Sequence, residues 1–296
     1  MDPGSRLTAI KSLNNYPSGS GLAYHNDRIY IMGDDAPYIL VANTLLNSID
    51  SIHIFETSEK RISKERKPDT EAITVVQKNK TTALLVVGSG SLSPSRDSCY
   101  VISLPGKEIK KYSLDTFYTR LKNSGLGMLN IEGATSTPAG IVLANRGNKS
   151  FPKNHLILAS NAFWENQATT RIRLIKTGTN SDTSTFNGIS GLDYSYRLDQ
   201  LFITVSTENT YDSYADGEIG KSYLWIINDF SSKKRWHTMN PDKIIKLEET
   251  DPRFSGHKIE SVCIISESKK EKTLILTADD DKGGTVLFRL VLPGMK

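Results

Sequence analysis

The sequence predicts an all-β protein, a five-bladed β-propeller in a single domain over residues 1–296, and three observations carry that expectation. Almost every periodic segment is strand-like, a short run rich in Ile, Val, Leu, Tyr and Thr bounded by turn residues. One local pattern recurs five times: a hydroxyl or carboxylate residue, then a small residue, opening a strand. The five are Ser20-Gly21, Glu71-Ala72, Glu132-Gly133, Ser190-Gly191 and Glu260-Ser261. They stand roughly 50 to 70 residues apart, the length of a four-stranded blade with its connections. Finally, the strand count closes. The fifth repeat lacks a fourth strand, and Arg6–Lys11 at the other end of the chain can supply it, removing an open sheet edge.

Taken in order, blade one (about 20–60) holds Gly21–His25, Arg28–Met32, Tyr38–Ala42 and Ser51–Phe55. Blade two (about 70–115) holds Ala72–Val76, Ala83–Val87, Ser98–Leu104 and Ile109–Ser113. Blade three (about 131–177) holds Gly133–Thr137, Gly140–Ala144, His155–Ala159 and Thr170–Lys176. Blade four (about 189–250) holds Gly191–Tyr194, Gln200–Val205, Ser222–Ile227 and Lys243–Leu247. Blade five (about 259–296 plus 6–12) holds Ser261–Ser266, Thr273–Ala278 and Thr285–Leu292. One helix is expected over Asp115–Lys122, with Asp115 offering an N-cap and Gly125 a stop. Asn161–Thr169 and Glu208–Gly220 are long insertions, the second rich in Tyr, Asp and Gly.

Composition is that of an ordinary globular chain, with net charge +4. No Lys/Arg stripe with interleaved aromatics is present, which argues against nucleic-acid binding. The runs Lys107–Lys111 and Lys269–Lys272 read as solvated hairpin turns and edge strands. Cys99 and Cys263 are too far apart in the repeat to suggest a mutual disulfide. No apolar run is long enough to span a bilayer. The start, Met1–Arg6, reads as an appended leader. Compartment is therefore left open: periplasmic or secreted if a targeting segment was removed, otherwise cytoplasmic. A monomer or weak oligomer is expected.

In a propeller the first strand of every blade lines the axial channel, so the five repeated positions should converge. Ser20, Glu71, Glu132, Ser190 and Glu260 would form an all-oxygen set. Crowded carboxylates repel unless a cation sits among them. Oxygen donors favour Ca²⁺ or Mg²⁺ over Zn²⁺, and a site assembled from separate blades suits the irregular shell of Ca²⁺ better than the strict octahedron of Mg²⁺. The alternative is a polar, water-filled tunnel without an ion. The ends of the second strands should ring the same mouth, supplying Asp34-Asp35, Ser89, Asn145-Arg146, Glu208, and Asp279 with Lys282. Asp34 and Asp35 read either as turn residues before Pro37 or as a general base and water-orienting pair. Arg146 reads either as a bidentate clamp for phosphate or carboxylate or as a scaffold ion-pair partner. Asp279–Gly284 reads as a polar hairpin rather than an independent metal loop, since EF-hand spacing is absent. No Gly-x-Ser-x-Gly elbow or P-loop occurs, which disfavours serine nucleophile chemistry.

The order Ser, Glu, Glu, Ser, Glu resembles the calcium-activated nucleotidases, the apyrase family with a five-bladed propeller. Gly33-Asp34-Asp35, Leu85–Ser89, Ile189–Asp193 with Ser206-Thr207-Glu208, and Lys258–Ser261 are similar to that family's blade motifs. The resemblance implies a Ca²⁺ in the central tunnel. The third-blade segment Gly140–Arg146 keeps one Arg and lacks the family's aromatics. The strand-start Glu-Gly pattern also resembles phytase-like esterase propellers and bacterial propellers of unassigned activity. Two functions are expected. One is metal-assisted hydrolysis of a phosphorylated small molecule, with Asp34 or Asp35 handling water and Arg146 stabilising charge. The other is a non-catalytic ligand- or protein-binding propeller with a structural Ca²⁺, in which Tyr211, Tyr214 and Trp225 form a platform.

Overall fold

The computed structural model describes residues 4–78, 81–178, 186–208, 219–233, 237–279 and 283–294. The chain begins with β1 (Arg6–Leu13) and then builds blade one from β2 (Gly19–His25), β3 (Arg28–Gly33), β4 (Tyr38–Asn43) and β5 (Ser48–His53). Blade two is β6 (Thr70–Lys78), β7 (Thr81–Gly88), β8 (Ser98–Ser103) and β9 (Ile109–Ser113), followed by α1 (Asp115–Asn123). Blade three is β10 (Ile131–Thr137), β11 (Gly140–Asn145), β12 (Asn154–Ala159) and β13 (Ile172–Thr177). Blade four is β14 (Phe186–Ser195), β15 (Gln200–Glu208), β16 (Ile219–Ile227) and, after the two-residue β17 (Thr238–Met239), β18 (Lys243–Lys246). The short α2 (Leu247–Thr250) leads to blade five, β19 (Lys258–Glu267), β20 (Glu271–Asp279) and β21 (Thr285–Pro293).

Each blade is built on a four-stranded antiparallel meander, with β1 pairing with β21 to complete the fifth, and the sheet of blade three carries one strand more. The first strands β2, β6, β10, β14 and β19 each pack against the next, and β19 returns to β2, so they form a closed inner ring. The apolar faces of adjacent blades are buried against one another in separate clusters around that ring. One such cluster joins blades two and three through Leu85, Leu143, Ile157 and the α1 residues Phe117 and Leu121.

The structure corrects several local expectations. The fourth strand of blade one begins at Ser48, earlier than expected, because Leu46 turns the chain with a positive φ. Blade three gains a fifth strand, β17, which pairs in parallel with β13 across Lys176 and Thr177. No alternation in a two-residue segment could announce it. Residue 115 does not cap α1: Leu114 is the N-cap and no side chain caps the helix. Leu247 opens a helical turn rather than ending a strand. Lys272 is fully buried, its Nζ 5.9 Å from the Phe202 ring centroid, so the Lys269–Lys272 run is not wholly solvated. Trp225 is core, packed between blades three and four, which removes it as a ligand platform. Its intended partners Tyr211 and Tyr214 lie outside the described residues. Cys99 and Cys263 are free and buried.

Candidate functional site

All five repeated positions share one backbone event. At Ser20, Glu71, Glu132, Ser190 and Glu260 the first strand carries an extra residue relative to the second, a β-bulge. In blade two, Thr70 faces Gly88 and Ala72 faces Val87, leaving Glu71 unmatched in the ladder. A bulge breaks the strict alternation of faces and re-aims a side chain. The small residue after it is required by the closeness of the ring. A Cβ on Gly133 would stand 2.9 Å from the Gly191 Cα, and one on Gly191 would stand 2.7 Å from the Ser261 Cα.

The bulged residues sit among charges supplied by the strand ends and loops. Glu71 lies with Asp34 and Asp69, their ligand atoms within 4.8 Å of one another. Lys67 bridges that group, its Nζ bonded to Asp34 Oδ2 and 2.8 Å from Asp69 Oδ1. Asp69 also accepts from Arg96 Nη1 at 2.6 Å and from Ser89 Oγ at 2.5 Å. Among the described residues Glu71 makes no hydrogen bond or ion pair, and Asp34 Oδ1 is buried without a partner. Burial pushes Asp34 up despite Lys67, and it pushes Glu71 well above the usual carboxylate range, with Asp69, Asp34 and Glu132 adding to the effect. Burial also opposes ionisation of Asp69, but Lys67 and Arg96 outweigh it and hold that carboxyl below its ordinary value.

The remaining expected residues divide by blade. Asp35 is paired with Arg61 Nε at 2.7 Å, and Arg61 Nη2 donates to Ser18 Oγ. Glu132 accepts from Asn130 Nδ2 at 2.5 Å and lies 3.5 Å from Arg146 Nη1. Arg146 reaches blade four, donating to Ser206 Oγ at 3.1 Å. It lies so close over Gly188 that a Cβ there would stand 2.4 Å from its Nε. Asn145 turns to the backbone, accepting from Asn130 N and donating to Met128 O. Glu260 pairs with Lys258 at 2.9 Å. Ser20 Oγ donates to Ser18 O, and Ser190 Oγ donates to Ile259 O of the next inner strand. Asp279 ends β20 opposite Thr285, and its charge helps hold the Arg61 guanidinium protonated. Lys282 and the Glu208 side chain lie outside the described residues.

The structure therefore brings Asp34, Glu71 and Glu132 into one electrostatic neighbourhood and engages Ser190 in holding strands together. Sequence reasoning missed Asp69, Lys67 and Arg96. Asp69 stands two residues before an anchor, but nothing about a Lys-Pro-Asp step distinguishes it from an ordinary turn.

The fold and site define a five-bladed propeller with a carboxylate-rich channel mouth crossed by intramolecular ion pairs. Residues 15–292 match a family of unknown function, DUF6929, and the chain belongs to that family. None of the curated proteins matches it. Among solved structures it is similar to the Myxococcus xanthus glutaminyl cyclase, at 8% identity and TM-score 0.49 over 97% of each chain. A protein of unknown function from Dyadobacter fermentans shows 12% identity and TM-score 0.46, over 97% of this chain and 99% of that one. A DUF4623 family protein from Bacteroides eggerthii shows 11% identity and TM-score 0.41, over 96% of this chain and 73% of that one. None of the three scores reaches 0.5, so the fold assignment rests on the strand pairing described above.

Proposed function

We propose that this is a cation-dependent ligand-binding propeller, whose channel mouth holds one divalent ion, Ca²⁺ ahead of Mg²⁺, against Asp34, Asp69 and Glu71. The observation that carries the reading is the charge and donor balance there. Three carboxylates whose ligand atoms lie within 4.8 Å of each other face two cations, Lys67 and Arg96. Ionised, the group is one positive charge short. Its uncommitted atoms, Asp34 Oδ1 and the Glu71 carboxylate, are hard oxygen donors that suit Ca²⁺. Glu132 lies close enough to add to that field. The ligand proposed for this mouth is a phosphorylated small molecule, because Arg61 and Lys67 flank it with positive charge.

Metal-assisted hydrolysis is the second reading. It is favoured by one feature: Asp34 Oδ1 and Asp35 Oδ1 are both buried without a hydrogen-bond partner, so each could accept a proton from an attacking water. Against it, Asp34, Asp35 and Arg146 are all engaged in ion pairs within the chain. A bound divalent ion would polarise a phosphoryl oxygen.

Elemental analysis and calorimetric titration of chelator-stripped protein test the proposal. One Ca²⁺ per chain is expected, with affinity reduced at least about tenfold in Glu71→Gln. At an ion concentration of about 100 Kd the melting point should rise by the equivalent of about 2.7 kcal/mol. Absence of bound ion, with unchanged melting in both Ca²⁺ and Mg²⁺, would count against it. Phosphate release from a panel of nucleotides and sugar phosphates, with Ca²⁺ and then with chelator, separates hydrolysis from binding.

A further inference from the structure

The inner strands begin at the bulges, and their later residues bound a second space at the other end of the channel. It is a cavity of about 730 Å³, walled by residues 22–24 of β2, 73–77 of β6, 134–137 of β10, 193 and 194 of β14 with Tyr196 just beyond it, and 264–267 of β19. That volume falls in the usual range for a small-molecule site. Its chemistry is unlike that of the bulge end. No lysine or arginine is among its lining residues, whereas Asp193 and Glu267 are.

Asp193 is locked in place. Its Oδ1 accepts from Thr135 Oγ1 at 3.2 Å and from its neighbour's backbone, Tyr194 N, at 2.8 Å, while Oδ2 accepts from Ile264 N at 2.8 Å. Three inner strands thus converge on one carboxylate. Glu267 accepts from Ser195 Oγ at 2.6 Å through Oε1. Behind it on β20 lies Lys272, opposite Glu267 in the ladder, and the two charges attract. Both carboxylates line the cavity, whereas the nearby cations, Lys272 and Arg197 (whose Nη1 donates to Glu267 O at 3.3 Å), are not among its lining residues. The charge on the cavity wall is opposite in sign to the chain's net +4.

Two further features point to an occupant. Trp164 lines the cavity and is 2% exposed, yet its indole N–H has no hydrogen-bond partner. A buried donor left unpaired costs about 1–3 kcal/mol, and the π face of an aromatic ligand body would accept it through a weak N–H···π contact. At the rim, Tyr196 is 62% exposed, and its hydroxyl lies 3.1 Å from Ser136 Oγ, joining blade four to blade three. Its ring stands edge-on to Tyr194 at 5.0 Å. Tyrosine faces and carboxylates together recognise an ammonium group by cation–π and ionic attraction.

We infer that this end of the channel binds a small organic cation, a protonated amine carried on an apolar body. The body packs on Ile73, Ile264 and Tyr24, and the ammonium faces Glu267, Asp193 and the Tyr196 ring. The site stands apart from the bulge end and does not depend on the cation proposed there.

The test is calorimetric titration with three probes of one size: phenethylamine, the anion 3-phenylpropanoate and the neutral 3-phenylpropanol. Phenethylamine is expected to bind at least about tenfold more tightly than either of the others. Tyr196→Ala, at a position 62% exposed, should weaken it several-fold while the wild-type circular dichroism spectrum is kept. Glu267→Gln should remove most of its preference over the alcohol, and Glu71→Gln, at the opposite end, should leave it unchanged. Failure of phenethylamine to bind, equal binding of the three probes, or phenethylamine binding untouched by both Tyr196→Ala and Glu267→Gln would overturn the inference.

Discussion

Arg96→Leu offers the sharpest check of the charge network beneath the bulge end. The Arg96 side chain is 4% exposed and that of Asp69 is 6%, so the pair is a buried one. Breaking such a pair from one side typically costs about 3–5 kcal/mol, because the partner is left as an uncompensated buried charge. Here Asp69 keeps Lys67 at 2.8 Å and Ser89 at 2.5 Å, which places the expected loss at the lower end, about 3 kcal/mol. With an unfolding entropy of about 2.1 cal/mol/K per residue, a chain of 296 residues should lose about 5 °C in Tm. Denaturant unfolding and calorimetry of Arg96→Leu, Asp69→Asn and the double variant measure both the loss and the coupling. The double variant should be less destabilised than the two singles added together, by at least about 1.5 kcal/mol. Arg66→Leu is the control. Its partner Glu59 is 45% exposed and Arg66 itself 62%, so it should cost no more than about 0.5 kcal/mol. A loss below about 1 kcal/mol in Arg96→Leu, or strict additivity in the cycle, would refute the reasoning that Asp69 is a buried electrostatic hub.

Two more predictions concern the opposite half of the molecule. Asp193 is pushed up to about 6, chiefly by burial, with the Glu267 charge adding to it and its three hydrogen-bond donors opposing. The folded state therefore holds a proton that the unfolded chain, titrating near 4, has released. Stability falls as pH rises from about 4 to about 6, by up to about 3 kcal/mol, and the loss is complete above that window. The groups facing Asp193 are Glu267 and Cys263 on β19, Thr135 on β10 and Tyr194 on its own strand, so the measurement is the difference in unfolding free energy between wild type and Asp193→Asn at pH 4 and pH 7. A difference that does not change across that window would be the contrary result. Lys272→Met should raise stability by about 1–3 kcal/mol. The Lys272 ammonium is fully buried, lacks a hydrogen-bond partner and is held below its ordinary pKa by desolvation. A lower melting point in that variant would mean that attraction to Glu267 outweighs the desolvation penalty.

The architecture was legible in the chain because each element reports it locally. Alternating β-branched residues mark the strands. The carboxylate-or-hydroxyl plus small-residue step marks the start of each blade, since only a small side chain fits where neighbouring inner strands nearly touch, as at Gly133 and Gly191. The N-terminal strand could be assigned to the last blade by counting alone, and it pairs with β21 as expected. The same step also located the five bulges, although the register shift behind it is visible only in the ladder.

What the residues face was decided by the tertiary structure. Ser190 and Glu71 carry the same sequence signature, yet one hydroxyl donates to the next strand's backbone and the other carboxylate has no hydrogen bond among the described residues. Asp69 and Arg96 stand in turns without any pattern. They become the centre of a network only because the Lys67–Asp69 turn and the loop after β7 meet at one mouth. The acidic cavity draws one wall from each of five blades separated by tens of residues, so no window of sequence contains it. Strand pattern is set by neighbours along the chain and can be read there. Electrostatic environment is set by neighbours across the channel, and ring closure alone brings those together.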